Sequence, residues 1–460
     1  MKKPNISVTR LAVLSTFLAT FMASHNHAAE QILTFKKAIQ VAQKNDPWLK
    51  GSMHRQQSLT LLSYAANTLP DPKVSVAFAN LPTDGFDFSQ EGMTQFKVGV
   101  SQMFSRGDSL SIKNKQLKLQ SQQQPFQRQD RINKVAVTVG SLWLDLYRVQ
   151  QSITLIEKNR SLFEQLAEVA EASYSNALGK TRQQDIVRAQ LELTRLEDKL
   201  NQLQQQNDRY QGMLGQWLTN FSQNPQQGQS DSSISTILPF NVSKQLPQVD
   251  LINHASVYSE RWLSPEKLAT LLSLHPSIKN VDKKIAATKT GIELAEQKYQ
   301  PQWGVNASYG YRGDTAMGNS RADFFSLGVT FDVPLFTKNR QDNEVKSAIS
   351  TTEAIKTEKL LLLRKLMSTF ASAKGRLLRL TERKTLYEEK LLPQIHNQAE
   401  ASLTAYTNDD GDFSEVVRAR IAELNAEIDF LAINVQKQKI TLEINYLFVG
   451  SVVSQQTGEK

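Results

Sequence analysis

The sequence repeats itself at long range. NDPWLKG around Pro47 returns as LHPSIKN around Pro276, an offset of 229. LPDPKVSVAFA from Leu69 returns as YQPQWGVNASYGY from Tyr299, with Pro70 matching Pro301 at 231. KVGVSQMF from Lys97 returns as SLGVTFDVPLF from Ser326, with Gly99 matching Gly328 at 229. DIVRAQLEL from Asp185 returns as EVVRARIAEL from Glu415, with Val187, Arg188 and Ala189 matching Val417, Arg418 and Ala419 at 230. Four collinear echoes at nearly one offset mark a duplication, and the period is far too long for a solenoid. The fold must therefore be one unit of some 200 residues made twice.

Each half runs through the same succession of patterns. A helix is predicted over 34–69 and again over 264–299, each stopped by a proline that cannot extend it. Two segments of period two come next, joined by polar loops rich in Gly and Asp, TDGFDFSQEG (83–92) and GDTAMGNSR (313–321). In the second half Trp303, Val305, Ala307, Tyr309 and Tyr311 alternate with Gly304, Asn306, Ser308, Gly310 and Arg312. Phe325, Leu327, Val329, Phe331 and Val333 likewise alternate with Ser326, Gly328, Thr330 and Asp332. The first half is weaker, with Val74, Val76 and Phe78 in one segment and Phe96, Val98 and Val100 in the other. The predicted strands are 73–82, 94–104, 303–313 and 323–334.

Very long helices succeed the strands. Val135, Val139, Leu142, Leu146, Val149, Ile153, Ile156, Phe163 and Ala170 fall at alternating spacings of four and three, with Arg160 and Ala167 filling the missing steps. That is a coiled-coil seam. It breaks at NALGKT (176–181) and resumes with Leu193, Leu196, Leu200, Leu203, Tyr210, Leu214 and Trp217. The second half repeats this with Leu363, Leu366, Phe370, Ala373, Leu377 and Leu380, a turn at TNDDGD (407–412), then Ile421, Leu424, Ile428, Leu431 and Val435. Unbroken helix from 108 to 178 would be roughly 105 Å long. SQNPQQGQSDSSIS (222–235), rich in Gln and Ser, reads as a linker or surface excursion between the halves.

The N-terminus sets the compartment. Lys2, Lys3 and Arg10 precede the apolar run 11–23 and then a polar stretch, the order of a secretory signal peptide over 1–29. That run of thirteen residues is too short to span a bilayer and no other stretch reaches eighteen apolar residues either, so any membrane crossing must be made by strands. There is no cysteine, which excludes disulfides, thiolate metal sites and an acylated N-terminal cysteine. The net charge of +9 falls to about +6 once the three leading cations are set aside, and no long block of one sign occurs; nucleic-acid binding is not expected. Four strands of about ten residues suit a tilted outer-membrane crossing but cannot close a barrel, so further copies must complete it.

This layout of helix, strand pair and long helical hairpin, made twice behind a signal peptide, resembles the TolC family of outer-membrane factors over about 34–219 and 264–450. The resemblance implies a mainly α fold with a transmembrane β part. Three copies would form a twelve-stranded β-barrel continuous with a periplasmic α-helical barrel. It also implies a passive exit duct in the outer membrane, extending into the periplasm of a Gram-negative cell, with a periplasmic adaptor and an inner-membrane pump of RND type as partners. The segment from Leu69 to Asp108 resembles members that work with heavy-metal pumps. Multidrug efflux and type I protein secretion share the fold, and a periplasmic coiled-coil scaffold is the alternative of another class. The expected organisation is a first repeat over 30–219, a linker or equatorial segment over 220–263, a second repeat over 264–450 and a tail over 451–460.

Motifs for chemistry are absent. The six histidines show no ligand spacing, the eight methionines form no MxxM pair, and no nucleophile elbow, P-loop or dinucleotide fingerprint occurs. No enzyme activity, metal site or cofactor is expected. The candidate residues lie at the two helical tips. Asp185 with Arg188, and Glu415 with Arg418, are three apart and read either as local surface ion pairs or, presented three times around a pore, as rings of charge at a periplasmic gate. The family pattern implies acids after the second tip; Glu415 fits, whereas Arg418 stands where a further acid is expected. Asp409, Asp410 and Asp412 read as a lure for cations or as ordinary turn residues. With Gly179, Lys180 and Gly411 they are the expected adaptor-docking positions.

Overall fold

A computed structural model describes residues 31–175, 183–222, 233–235, 240–252, 263–315, 317–408 and 410–457. The expected signal peptide lies outside the described residues. The chain opens with β1 (Gln31–Leu33), α1 (Phe35–Asn45) and α2 (Pro47–Ala65). Strands β2 (Lys73–Ala79) and β3 (Gln95–Phe104) lead into α3 (Ser109–Ser121), α4 (Gln123–Ser175) and α5 (Gln183–Leu218). Beyond α5 lie three short strands, β4 (Asn220–Ser222), β5 (Ser233–Ser235) and β6 (Phe240–Val242). The second half has α6 (Pro265–Leu272), α7 (Pro276–Glu296), β7 (Trp303–Tyr311), β8 (Phe324–Phe331), α8 (Gln341–Leu386), α9 (Leu392–Thr407) and α10 (Phe413–Thr457). The duplication read from the sequence is thus a duplication of structure.

The single 35-residue helices expected over 34–69 and 264–299 are each two helices. Pro47 and Pro276 stand at the starts of α2 and α7, where a missing N–H costs nothing. A side chain caps each start: Asp46 accepts from the Trp48 amide at 3.0 Å, and His275 Nδ1 accepts from the Ser277 amide at 3.2 Å. The proline echo therefore marks a helix start in both halves. The helical run after β3 also bends once, between α3 and α4 at Gln122. Between α8 and α9 a π-helical turn, Tyr387–Leu391, precedes Pro393, which has no N–H to give to the helical ladder.

One sheet has the order β2-β3-β7-β8, antiparallel throughout, so the second strand pair is laid against the first. Helices repeat this order, with α2 against α3, α3 against α7 and α7 against α8, because each strand continues into a helix on the same side of the sheet. Farther from the sheet the neighbours are α5-α4-α10-α9. At 53 residues α4 is about 80 Å long.

Three apolar clusters hold the helices. The first surrounds Trp143, fully buried, whose indole N–H donates to the Leu33 carbonyl at 2.9 Å and whose ring packs on Phe35 and Tyr147. Here β1 pairs with β6 in parallel, so part of the expected linker is built into the first core. The second cluster carries the α4 seam, Val149, Ile156, Phe163 and Ala170, onto α5 and the start of α10. The third joins Leu366, Phe370, Ala373 and Leu377 of α8 to Ile440, Ile444 and Phe448 of α10. Arg160 interrupts the α4 seam by turning outward to Glu164 at 2.8 Å. Helix α10 runs on to Thr457, into the expected tail.

Candidate functional site

The sheet has two unlike faces, and strand register fixes both. Rows run across it from the loop end to the helix end: Phe78, Phe96 and Tyr311; Val76, Val98, Tyr309 and Phe325; Val74, Val100, Ala307 and Leu327; Gln102, Val305 and Val329; Phe104, Trp303 and Phe331. Aromatic rows bound an aliphatic middle, and the side chains stay in the open: Phe325 is 71% exposed and Leu327 69%. Five rows span nine residues, 96–104 on β3, and the eight steps between them are about 26 Å along a strand and roughly 20 Å at a 40° tilt. The other face is small and polar, with rows such as Ser75, Gly99, Ser308 and Ser326, then Lys73, Ser101, Asn306 and Gly328. Among the described residues, strands β2 and β8 are both unpaired on their outer edges in one copy of the chain. No described helix is long and apolar enough to cross a membrane.

At the loop end Arg312 joins the two polar connections. Its guanidinium donates to the Gly92 carbonyl at 2.6 Å, and Phe88 stacks on Tyr311.

The second helical tip closes on itself. Phe413, 2% exposed, packs its ring against Tyr406 across the turn at 5.6 Å. The Asp410 amide donates to the Ala405 carbonyl at 3.0 Å, and Asp412 caps α10 by accepting from the Ser414 amide at 3.1 Å. Gly411 faces the end of α9 so closely that a Cβ would lie 2.6 Å from the Tyr406 nitrogen and 2.8 Å from the Ala405 carbonyl carbon. Turn chemistry accounts for Gly411 and Asp412. Asp410 is exposed, and Asp409 lies outside the described residues.

The paired charges do not behave as local pairs. Glu415 and Arg418 are both exposed, as is Arg188, whereas Asp185 is 5% exposed in the first turn of α5. Among the described residues no ion pair joins Asp185 to Arg188 or Glu415 to Arg418, although Asp185 does have a partner. A spacing of three displaces side chains by about 60° around a helix. That suffices to turn Asp185 toward the core that receives Ala189 while Arg188 stays in solvent. Gly179, Lys180 and the first tip, 176–182, lie outside the described residues.

Behind the second tip is a charged cluster that sequence reading missed. Arg420, with its side chain 10% exposed, donates to Glu400 at 2.6 Å and Glu423 at 2.9 Å, and His396 lies 2.6 Å from Glu423. The hydrogen bond to Glu423 holds the His396 imidazole above its ordinary pKa, and the bond from Arg420 holds Glu400 below its own. Glu427, one turn farther along α10, is raised by burial and then by the Glu423 charge. The signal was present: with the turn centred on Asp410, residue 400 lies across from 420 and 396 across from 423 and 424. Among the described residues no group of three or more His, Asp or Glu side chains gathers as a metal site.

No family model matches the chain, and no curated protein matches it. Solved structures do. The Campylobacter jejuni CmeC outer-membrane channel is 12% identical with a TM-score of 0.69, covering 99% of this chain and 97% of that one. The outer-membrane protein VceC of Vibrio cholerae is 14% identical with a TM-score of 0.64, over 90% of this chain and 96% of that one. CusC, whose structures concern folding and transmembrane channel formation, is 13% identical with a TM-score of 0.68, over 90% and 91%. With its duplicated layout, four-stranded sheet and paired helical hairpins, the chain has the fold of the TolC-type outer-membrane channels.

Proposed function

We propose that three copies of this chain form an exit duct across the outer membrane and into the periplasm. The duct passively conducts what an inner-membrane pump delivers through a periplasmic adaptor. The observation that carries this reading is the two-faced sheet: an exposed apolar face bounded by aromatic rows, a small polar face opposite, and two open edges. Apolar girdles suit lipid, polar interiors suit a water-filled lumen, and open edges demand closure by other copies. The likeness to solved channels supports it. A soluble coiled-coil scaffold would have no use for such a sheet.

Cell fractionation tests the placement. The mature chain is expected in outer membranes as a detergent-extractable trimer that conducts ions in planar bilayers; recovery in the soluble periplasm would sink the reading. Heavy-metal cations are the narrower cargo we propose, from the resemblance of the strand segment. Deletion should then lower tolerance to copper, silver, zinc or cobalt, and unchanged tolerance to all four would remove that cargo and leave the duct.

The tips would face the inner mouth. Of the four candidate gate residues Arg188, Glu415 and Arg418 are exposed, and we place them around the aperture, with Asp185 supporting the start of α5 from inside. Replacing Arg188 and Arg418 by Ala should raise single-channel conductance, and an unchanged conductance would leave them as surface charges. Adaptor docking is assigned to Gly179, Lys180 and 409–412, because close contact between hairpins needs small tip residues.

A further inference from the structure

We propose that the segment after β8 is a collar that binds the anionic headgroups of phospholipids at the helix-side rim of the barrel, an inference that rests on the membrane reading above. In VPLFTKNR (333–340) Val333 is 57% exposed, Leu335 74% and Phe336 86%, and the short 3-10 turn Thr337–Asn339 then presents Lys338 and Arg340, both exposed. Exposure of Phe336 to this degree is costly in water, and no described part of the chain covers it.

Position and charge name the occupant. Val333 lies two residues past Phe331 and continues the apolar face, beyond the row of Phe104, Trp303 and Phe331. Aromatic rows of this kind sit at headgroup depth, so the residues immediately beyond them must meet headgroups. The neighbouring acids are already engaged: Asp332 by Arg106, Glu344 by Lys298 at 2.9 Å, and Asp342 by the Tyr299 hydroxyl at 2.6 Å. Lys338 and Arg340 have no ion-pair partner among the described residues. A groove of about 570 Å³ runs beneath, with Leu294 and Phe336 supplying apolar wall and Arg340 supplying unpaired charge, while Lys298 and Arg106 in its lining are held by Glu344 and Asp332. Apolar anchors beside unpaired cations match acyl chain and phosphate together, each cation adding about 1 kcal/mol near an anionic surface.

The test uses the purified trimer in detergent with added palmitoyl-oleoyl phosphatidylglycerol or phosphatidylcholine, reading lipid retained per trimer by native mass spectrometry. Wild type is expected to retain several-fold more phosphatidylglycerol, K338A/R340A to lose the preference while remaining trimeric, and L335S/F336S to retain less of both lipids. Equal retention by wild type, or an undiminished preference in K338A/R340A, would overturn the proposal. So would dissociation of K338A/R340A to the same extent in both lipids, which would assign the collar to a neighbouring copy. A failure of the membrane reading is seen separately, as wild type released from membranes by alkaline carbonate.

Discussion

Single residues decide how the second tip is built. Gly411 has no room for a Cβ against the backbone of Ala405 and Tyr406. Gly411→Ala should therefore destabilise the hairpin by about 1–3 kcal/mol, visible as faster amide exchange over 403–416 with little change at the sheet. Arg420 holds two acids from two helices, so Arg420→Ala should loosen the same hairpin by a similar amount, while Arg418→Ala, at an exposed position, should leave it unchanged. The cluster also carries a pH dependence. His396 is raised by Glu423, so its contribution is full below the ordinary histidine pKa and fades as pH rises through the folded value. Glu427, raised by burial, acts in the same direction. Glu400, lowered by Arg420, contributes above the ordinary glutamate pKa and is lost only in stronger acid. Exchange protection of α9 and α10 should thus be greater at about pH 5.5 than at about pH 8, and His396→Gln should flatten the difference. Equal protection at both pH values in wild type would contradict it.

At the scale of elements, most of the fold was legible because its signals are periodic. Alternation in 303–311 and 324–331 gave strands that differ from expectation by a few end residues, and the α4 seam residues Val135, Val139, Val149 and Phe163 are buried as their spacing requires. The illegible features depend on partners far along the chain. Helix breaks at Asp46-Pro47 and His275-Pro276 do not show in the periodicity, because the apolar period carries on across a proline that starts a new helix. Asp185 matches Glu415 by offset, yet one is buried and the other exposed, since burial depends on the packing of each tip and not on the repeat. The Arg420 cluster needed the hairpin register, and β6 needed its pairing with β1 at the other end of the first half. Trp143 lies one residue off the seam and its burial does not show in the spacing, although it is the largest fully buried side chain among the described residues. The two sheet faces give an element-scale prediction. Leu327→Arg, in the middle aliphatic row, should cost about 2–4 kcal/mol and deplete the chain from outer membranes. Its neighbour Ser326→Arg, on the polar face, should assemble normally and alter conductance. Equal assembly of the two variants would mean that the apolar face is not turned to lipid.

For the whole molecule, one logic links the sheet to the helices. The strand order β2-β3-β7-β8 is repeated in the helix order α2-α3-α7-α8, so closing the strands around an axis would carry the helices around the same axis. One copy leaves β2 and β8 as edges, and exposed edges with apolar faces are an aggregation hazard unless other copies take them up. In the proposed duct, twelve strands from three copies would close the wall and leave a lumen lined mainly by small and polar side chains such as Ser75, Gly99, Asn306, Ser308 and Ser326. The absence of cysteine allows this to be tested without background. Ser75→Cys on β2 would be combined in turn with Ser326→Cys, Gly328→Cys or Thr330→Cys on β8, and each double variant oxidised in intact cells. At least one combination is predicted to give covalent dimers and trimers in the outer membrane, with nothing larger. Monomer alone in every combination, or a ladder continuing past three copies, would contradict the closed three-copy duct.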